Sequence, residues 1–376
     1  MLDAASFRDL ISSRRRGWLA SLIRQLLAVA SWLYTPIIRG RNAWYDGRFA
    51  GVKRVDVPVV SVGNLTLGGT GKTPLVAWLV RWFQSRGVRV AIVSRGYKAR
   101  AGTPNDEALE LAGQLPGAPH VQNPQRVEGA RQAIREHQAE LIVLDDAFQH
   151  RRIHRDLNIV LLDALEPYGL ERVFPRGLLR EPLCGLKRAD VVVLSRSDAV
   201  SGGDREAIRR RVADLAPHAL WLEAVQRPCG LRSAEGRRED LGRIVGRRVA
   251  AFCGIGNPEG FRHTLRTCDC QLVDFREFPD HHAYSAEDVE SLCRGADGLP
   301  DVVAVVCTHK DLVKIPRLQL GAVPLWALVI ELEITVGGEE FGAKLATLLP
   351  KLGSDVQNSI FAGDCPAVRR TSLREN

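Results

Sequence analysis

With 376 residues, 45% of them hydrophobic and 26% charged, the chain is long and apolar enough for two globular domains, which excludes a disordered or disulfide-stapled small protein. Its formal net charge of +8 is uneven, because residues 1–54 carry ten Arg or Lys against three Asp, a net of +7. That localisation argues against a nucleic-acid groove spread over a domain and for a basic amino-terminal element beside an anionic surface.

The first element is the apolar run of residues 18–38, WLASLIRQLLAVASWLYTPII, flanked by Arg14, Arg15 and Arg16 on one side and Arg39 and Arg41 on the other. A spanning helix needs about 20 apolar residues with few charges, and Arg24 and Gln25 interrupt this one. Trp18, Trp32 and Tyr34 near its ends suit a helix lying in a cytoplasmic lipid interface. An amphipathic helix packed on the protein's own core is the competing reading. No small-residue cleavage site follows, so the run does not read as a secretory signal.

Next comes the stretch around which the chain is organised. The β-branched run of residues 58–62 leads into Thr66-Leu67-Gly68-Gly69-Thr70-Gly71-Lys72-Thr73, and a helical apolar pattern follows from Pro74. Strand, glycine-dense turn and helix make the setting of a phosphate-binding loop, whose amides and helix terminus favour anions. Lys72 is expected on the β- and γ-phosphates, and the Thr73 hydroxyl on Mg²⁺. Thr66 stands where the general pattern has its first glycine.

Downstream the pattern alternates: strands at residues 88–94, 141–144, 158–163 and 190–195, with helices at 126–137 and 204–215. This predicts an α/β P-loop core at residues 56–230 with a mostly parallel sheet. The polar, Gly- and Arg-rich residues 236–246 read as a linker. A second alternating set, with strands at 249–253, 271–275, 302–307 and 325–332, predicts a smaller α/β domain over 231–350, and the aperiodic tail from 351 reads as disordered. The eight cysteines contain one close pair, Cys268 and Cys270, and no zinc spacing, so reduced thiols in a cytosolic compartment are expected.

Several constellations bear on chemistry. The 141–144 run ends in Asp145 and Asp146, the form in which phosphate-loop enzymes present a carboxylate to Mg²⁺. Asp106-Glu107 opens a helix-forming stretch and reads alone as a helix cap. Asp280-His281-His282 pairs a carboxylate with imidazoles, which can tune a proton acceptor. Arg95 and Tyr97 follow a strand end, where open sheets place ligands. Arg180-Glu181 lies in a turn, and Thr308-His309-Lys310-Asp311 follows a strand in an order unsuited to guanine recognition.

Taken together, the chain resembles the tetraacyldisaccharide 4'-kinases, the lipid A 4'-kinases of bacteria with an outer membrane. The likeness runs over roughly residues 25–350 through GGTGKTP, Ser94-Arg95-Gly96-Tyr97, Asp106-Glu107, the 144–150 segment LDDAFQH, Leu179-Arg180-Glu181-Pro182, Gly254-Ile255-Gly256-Asn257-Pro258, Asp280-His281-His282 and Thr308-His309-Lys310-Asp311. That family also carries a threonine at the place of Thr66, whereas Ala108 departs from its usual proline. The resemblance implies γ-phosphoryl transfer from ATP, with Mg²⁺, to the 4'-hydroxyl of an acylated glucosamine disaccharide on the cytoplasmic face of the inner membrane, with no nucleic-acid partner. It implies Asp106 as acceptor of the sugar proton with His281 and Asp280 assisting, and Arg95, Tyr97, Glu107, Arg126, Arg180 and Glu181 as holders of the disaccharide or its existing phosphate. Two other classes share the phosphate loop: a partner-activated P-loop NTPase at the membrane and a soluble ligase of the dethiobiotin-synthetase type.

Overall fold

The computed structural model describes residues 4–47, 51–96, 106–115 and 117–349. Tyr97, the side chains of Asp106 and Glu107, and the tail expected to be disordered lie outside the described residues.

Two amino-terminal helices, α1 (Ala4–Ile11) and α2 (Trp18–Asp46), precede the sheet. The first block of strands is β1 (Val59–Asn64), β2 (Val90–Ser94), β3 (His120–Gln122), β4 (Leu141–Leu144), β5 (Leu157–Asp163), β6 (Val191–Ser195) and β7 (Leu220–Arg232), with helices α3 (Lys72–Gln84), α4 (Asp106–Gln114), α5 (Arg126–His137) and α6 (Gly202–Leu215) between them. The second block comprises β8 (Arg238–Glu239), β9 (Arg248–Cys253), α7 (Pro258–Arg266), β10 (Gln271–Glu277), α8 (Ala286–Asp297), β11 (Val302–Cys307), α9 (His309–Leu312), β12 (Gln319–Leu320), β13 (Val323–Val336) and α10 (Gly338–Ala346). Continuous Val, Ile and Leu runs such as VVVLS in β6 are buried along their whole length, as strands covered on both faces must be.

All the larger strands join one sheet in the order β10-β9-β11-β13-β7-β6-β5-β1-β4-β2-β3. Pairing is parallel on either side of the β7/β13 junction and antiparallel across it. β6 pairs with β7 only as far as Ala224, and β11 pairs with β13 only as far as Ala327. Between those points a two-stranded ribbon with a register shift between Val329 and Ile330 joins the blocks, and isolated ribbons twist more than wide sheets. The division expected near residue 230 falls inside β7. The stretch read as a linker holds the β7/β8 hairpin and a 3₁₀ turn over Leu241–Arg243. The chain then returns, because Leu332 of β13 and Phe341 and Leu345 of α10 pack into the first block's core, where Trp78 stacks on Phe341 with centroids 5.6 Å apart.

α2 extends eight residues beyond the apolar run read from the sequence. It docks by a narrow edge: the Ser31 hydroxyl donates to the Val173 carbonyl at 2.8 Å and accepts from the Arg176 amide at 2.8 Å, and Ile38 is buried. Its other face is open, with Leu19, Leu22, Leu26, Val29, Leu33 and Ile37 all exposed at helical spacing.

Candidate active site

The carboxyl ends of β1, β4, β9 and β11 feed their loops into one cavity of about 1200 Å³, with the β7/β13 ribbon as part of its wall. The loop after β1 forms its floor. Gly68 and Gly71 take positive φ of 113° and 86°, and Gly71 opens α3 from the left-handed region. A side chain at Gly71 would also meet the Gln226 amide nitrogen at 2.6 Å, so glycine is required there twice over. Asn64 donates to the Thr70 hydroxyl at 3.1 Å and Ser195 donates to the Thr70 carbonyl at 2.8 Å, which pins the cradle to β1 and β6. Leu67 to Thr73 line the cavity, as the motif predicts.

Thr66 behaves differently. It forms an antiparallel bridge to Leu179, is 5% exposed, and faces away from the large cavity. Its contribution is to tie the entry of the phosphate loop to the 178–180 turn, where Leu67 donates to the Leu178 carbonyl at 2.7 Å and Arg180 to the Leu65 carbonyl at 2.7 Å. An extended residue needs no glycine, which is the physical reason a threonine is accommodated.

Asp145 and Asp146 emerge from β4 opposite the loop. Asp146, at positive φ of 49°, accepts from Arg180 at 2.8 Å and pairs with Lys72 at 3.4 Å. Partial burial alone would raise its carboxyl, but Lys72 and Arg180 outweigh it and hold the group far below the usual carboxylate range. Asp145 is 2% exposed and lines the same cavity as Thr73. Oxygen donors from one carboxylate and one hydroxyl beside a phosphate cradle fit Mg²⁺, which keeps several waters and takes the rest from phosphate.

The turn that carries these aspartates is held from behind. Ala147 donates to the Val62 carbonyl at 3.2 Å, and Arg155 donates to the carbonyls of Ala147 and Phe148 at 3.3 and 3.0 Å. Gly63 lets it approach, since a side chain there would stand 2.7 Å from the Phe148 amide nitrogen. Gln149 and His150, at the end of the turn, line the cavity too. Burial, followed by the charges of Arg126 and Arg155, pushes His150 down to about 4.

Of the predicted substrate-holding residues, Arg95, Arg126 and Arg180 line the cavity. Burial lowers Arg126, while Asp146 and Asp145 oppose the shift. Glu181 does not line it: the carboxylate is fully buried and accepts from Arg188 at 2.8 Å to each oxygen, from Asn42 of α2 at 2.8 Å and from Gln149 at 3.1 Å. An acid whose acceptor capacity is spent inside the protein braces the site and does not hold a ligand. Asp280 and His281 enter from the second block, with His281 Nε2 4.0 Å from the Asp280 carboxylate and its backbone at positive φ of 60°. Asp106 begins α4, which is docked by Arg232 and Arg81 donating to the carbonyls of Gly113 and Gln114. Sequence reasoning placed none of Gln226, Arg41 and Arg196 at the site, yet all three are in the cavity wall, and only the fold brings them there.

Comparison with known proteins places the chain in a family. Residues 23–350 match the model of the tetraacyldisaccharide-1-phosphate 4'-kinase (LpxK) family. The tetraacyldisaccharide 4'-kinase of Syntrophus aciditrophicus is 36% identical over 333 residues, covering 82% of this chain and 89% of that one. That of Geobacter sulfurreducens is 36% identical over 344 residues, covering 87% and 94%. A crystal structure of LpxK from Aquifex aeolicus in complex with ATP superposes with a TM-score of 0.67 at 30% identity, covering 87% of this chain and 100% of that one. On sequence, fold and site together, the chain belongs to the tetraacyldisaccharide 4'-kinase family.

Proposed function

We propose that the protein transfers the γ-phosphoryl group of ATP to the 4'-hydroxyl of a tetraacylated glucosamine disaccharide 1-phosphate, a step of lipid A biosynthesis. One observation carries the reading: a single cavity joins a complete phosphate cradle to the Asp145–Asp146 turn, to Arg95, Arg126 and Arg180 and to the Asp280–His281 pair. Phosphoryl transfer asks mainly for positioning and charge stabilisation, and these groups supply both.

In this reading the 67–73 loop and Lys72 grip the triphosphate. Asp146 releases Lys72 as phosphate oxygens arrive and keeps Arg180 oriented. Thr73 and Asp145 would hold Mg²⁺, which would supply neutralisation of charge on the phosphate oxygens. Asp106, at the start of α4, accepts the proton of the sugar hydroxyl, and His281 with Asp280 shares or tunes that role. Arg95, Tyr97, Glu107, Arg126 and Arg180 hold the disaccharide and its existing phosphate, the arginines gripping oxyanions in a forked geometry. The lipid reaches the cavity from the bilayer on which α2 lies. Its exposed apolar stripe, flanked by Arg14, Arg15, Arg16 and Arg39, suits the cytoplasmic face of an anionic membrane, with the protein peripheral or monotopic.

The test is incubation with γ-labelled ATP and detergent-dispersed acylated glucosamine disaccharide phosphate, scored for a lipid-extractable labelled product. Asp106→Ala should lower kcat by about 10² to 10⁴ with nucleotide affinity kept. Nucleotide hydrolysis without a labelled lipid would refute the kinase reading, and a variant within a few-fold of the parent would refute the proton-acceptor assignment.

A further inference from the structure

The Thr308-His309-Lys310-Asp311 segment is absorbed by nothing in that mechanism. His309 and Lys310 line the cavity, but Asp311 points the other way and is fully buried. Its carboxylate accepts three hydrogen bonds: from the Gly254 amide at 3.1 Å, from the Tyr284 hydroxyl at 2.9 Å and from the Thr308 hydroxyl at 2.6 Å. Thr308 is at the same time the N-cap of α9, so the acid is fixed to the end of β11.

The two distant partners bracket the loop that carries Asp280 and His281. Gly254, the first residue after β9, accepts from the His281 amide at 3.1 Å through its carbonyl, while its amide is held by Asp311. Tyr284 stands three residues past His281, with its ring edge-on to Phe252, Phe278 and His282. The loop has further ties in the Phe278 amide on the Cys253 carbonyl at 2.8 Å and the His282 imidazole on Asp288 at 2.9 Å. His281 itself sits at positive φ, a conformation a non-glycine residue keeps only when its surroundings impose it. Space at the centre is tight, since a side chain on Gly254 would come within 3.0 Å of the Tyr284 hydroxyl and 3.1 Å of the Asp311 carboxylate.

We infer that Asp311, acting through Gly254 and Tyr284, is the positioning residue that sets the Asp280–His281 pair at the reaction cavity. The inference rests on the catalytic reading of that pair given above. Asp311 is not a base-reading group, because both of its oxygens are engaged inside the protein. Burial pushes the carboxyl up against the pull of its three donors. An asparagine keeps one oxygen for Gly254 and Tyr284 and can turn its nitrogen to the Thr308 hydroxyl, whereas alanine leaves all three partners without an acceptor.

The experiment compares Asp311→Ala, Asp311→Asn, Tyr284→Phe and His281→Ala in the full-length protein, with steady-state kinetics in ATP and acylated disaccharide phosphate and with amide hydrogen exchange of residues 278–284. Asp311→Ala should lower kcat about 10²-fold, the scale of a misplaced catalytic group, while the KM for ATP stays within about threefold. Asp311→Asn should recover kcat to within about tenfold of the parent, and exchange at residues 278–284 should quicken in Asp311→Ala and Tyr284→Phe. Placed in a His281→Ala background, Asp311→Ala should add less than about threefold, because the two act as a unit. Multiplicative losses in the double variant, unchanged exchange, or an Asp311→Ala enzyme of parental kcat would overturn the inference. If Asp311→Ala does not fold, Tyr284→Phe carries the test by the same two readouts. Parental kcat in His281→Ala would instead overturn the catalytic role of the pair, and this inference with it.

Discussion

Glu181 and Arg188 form a buried ion pair whose removal should be felt both in stability and at the site. Arg188 reaches both carboxylate oxygens at 2.8 Å, and its guanidinium lies 4.5 Å from the centroid of the Phe148 ring. Arg188→Met keeps the apolar stem but leaves a fully buried carboxylate with only the amides of Asn42 and Gln149. Breaking one side of a buried pair costs about 3–5 kcal/mol, and loss of the contact with the Phe148 face adds about 0.5–2 kcal/mol. Glu181→Gln should cost a comparable amount, because it strands Arg188 in the same interior. The double variant should recover most of the loss, since a glutamine can still pair with both amides and neither charge of the pair is left without the other. Denaturant unfolding in detergent, followed by tryptophan fluorescence, gives the four corners of the cycle. Single variants within about 1 kcal/mol of the parent, or strictly additive losses, would refute the pairing as the source of the stability.

Two further outcomes follow from the turn after β4. Gly63→Ala places a methyl 2.7 Å from the backbone of Phe148, so it should destabilise by about 1–3 kcal/mol and lower kcat by displacing Asp145 and Asp146; an unchanged melting temperature and parental kcat would contradict the close approach. His150 is depressed to about 4 in the fold, so between the unfolded imidazole value near 6.5 and about 4 the unfolded state binds more protons and stability falls as pH falls. His150→Asn should flatten that part of the stability–pH profile, measured by melting temperature from pH 7 to pH 4, and an unchanged slope would remove His150 as its cause.

The phosphate loop was legible because its chemistry is local: glycines, a lysine and a threonine at fixed offsets between a strand and a helix. The β4 carboxylates were legible for the same reason, as an apolar run ending in acids. Glu181 misled because Arg180-Glu181 looks identical in sequence whether it faces a ligand or the interior. Only the meeting of Asn42, Gln149 and Arg188, brought from three parts of the chain, decides between the two. The parallel alternation of each block was likewise evident, whereas the antiparallel junction that merges them depends on pairing between residues about 100 positions apart, which no local period reveals. Asp311 belongs to the same class, since its partners at Gly254 and Tyr284 come from other loops.

The junction has a consequence for how the chain is made. β7 ends at Arg232, and its partner β13 begins at Val323, about 90 residues later. At about 5–20 residues per second, the ribosome leaves a long apolar strand edge waiting roughly 5–20 s for its partner. The stacking partner of Trp78, Phe341, arrives later still. A chain halted anywhere in that interval presents an unpaired edge, the usual seed of intermolecular strand pairing. The β8 hairpin gives that edge no cover, because Leu231 and Arg232, which pair with it, also pair with Leu328 and Ala327 of β13, so β8 lies on the opposite edge of β7.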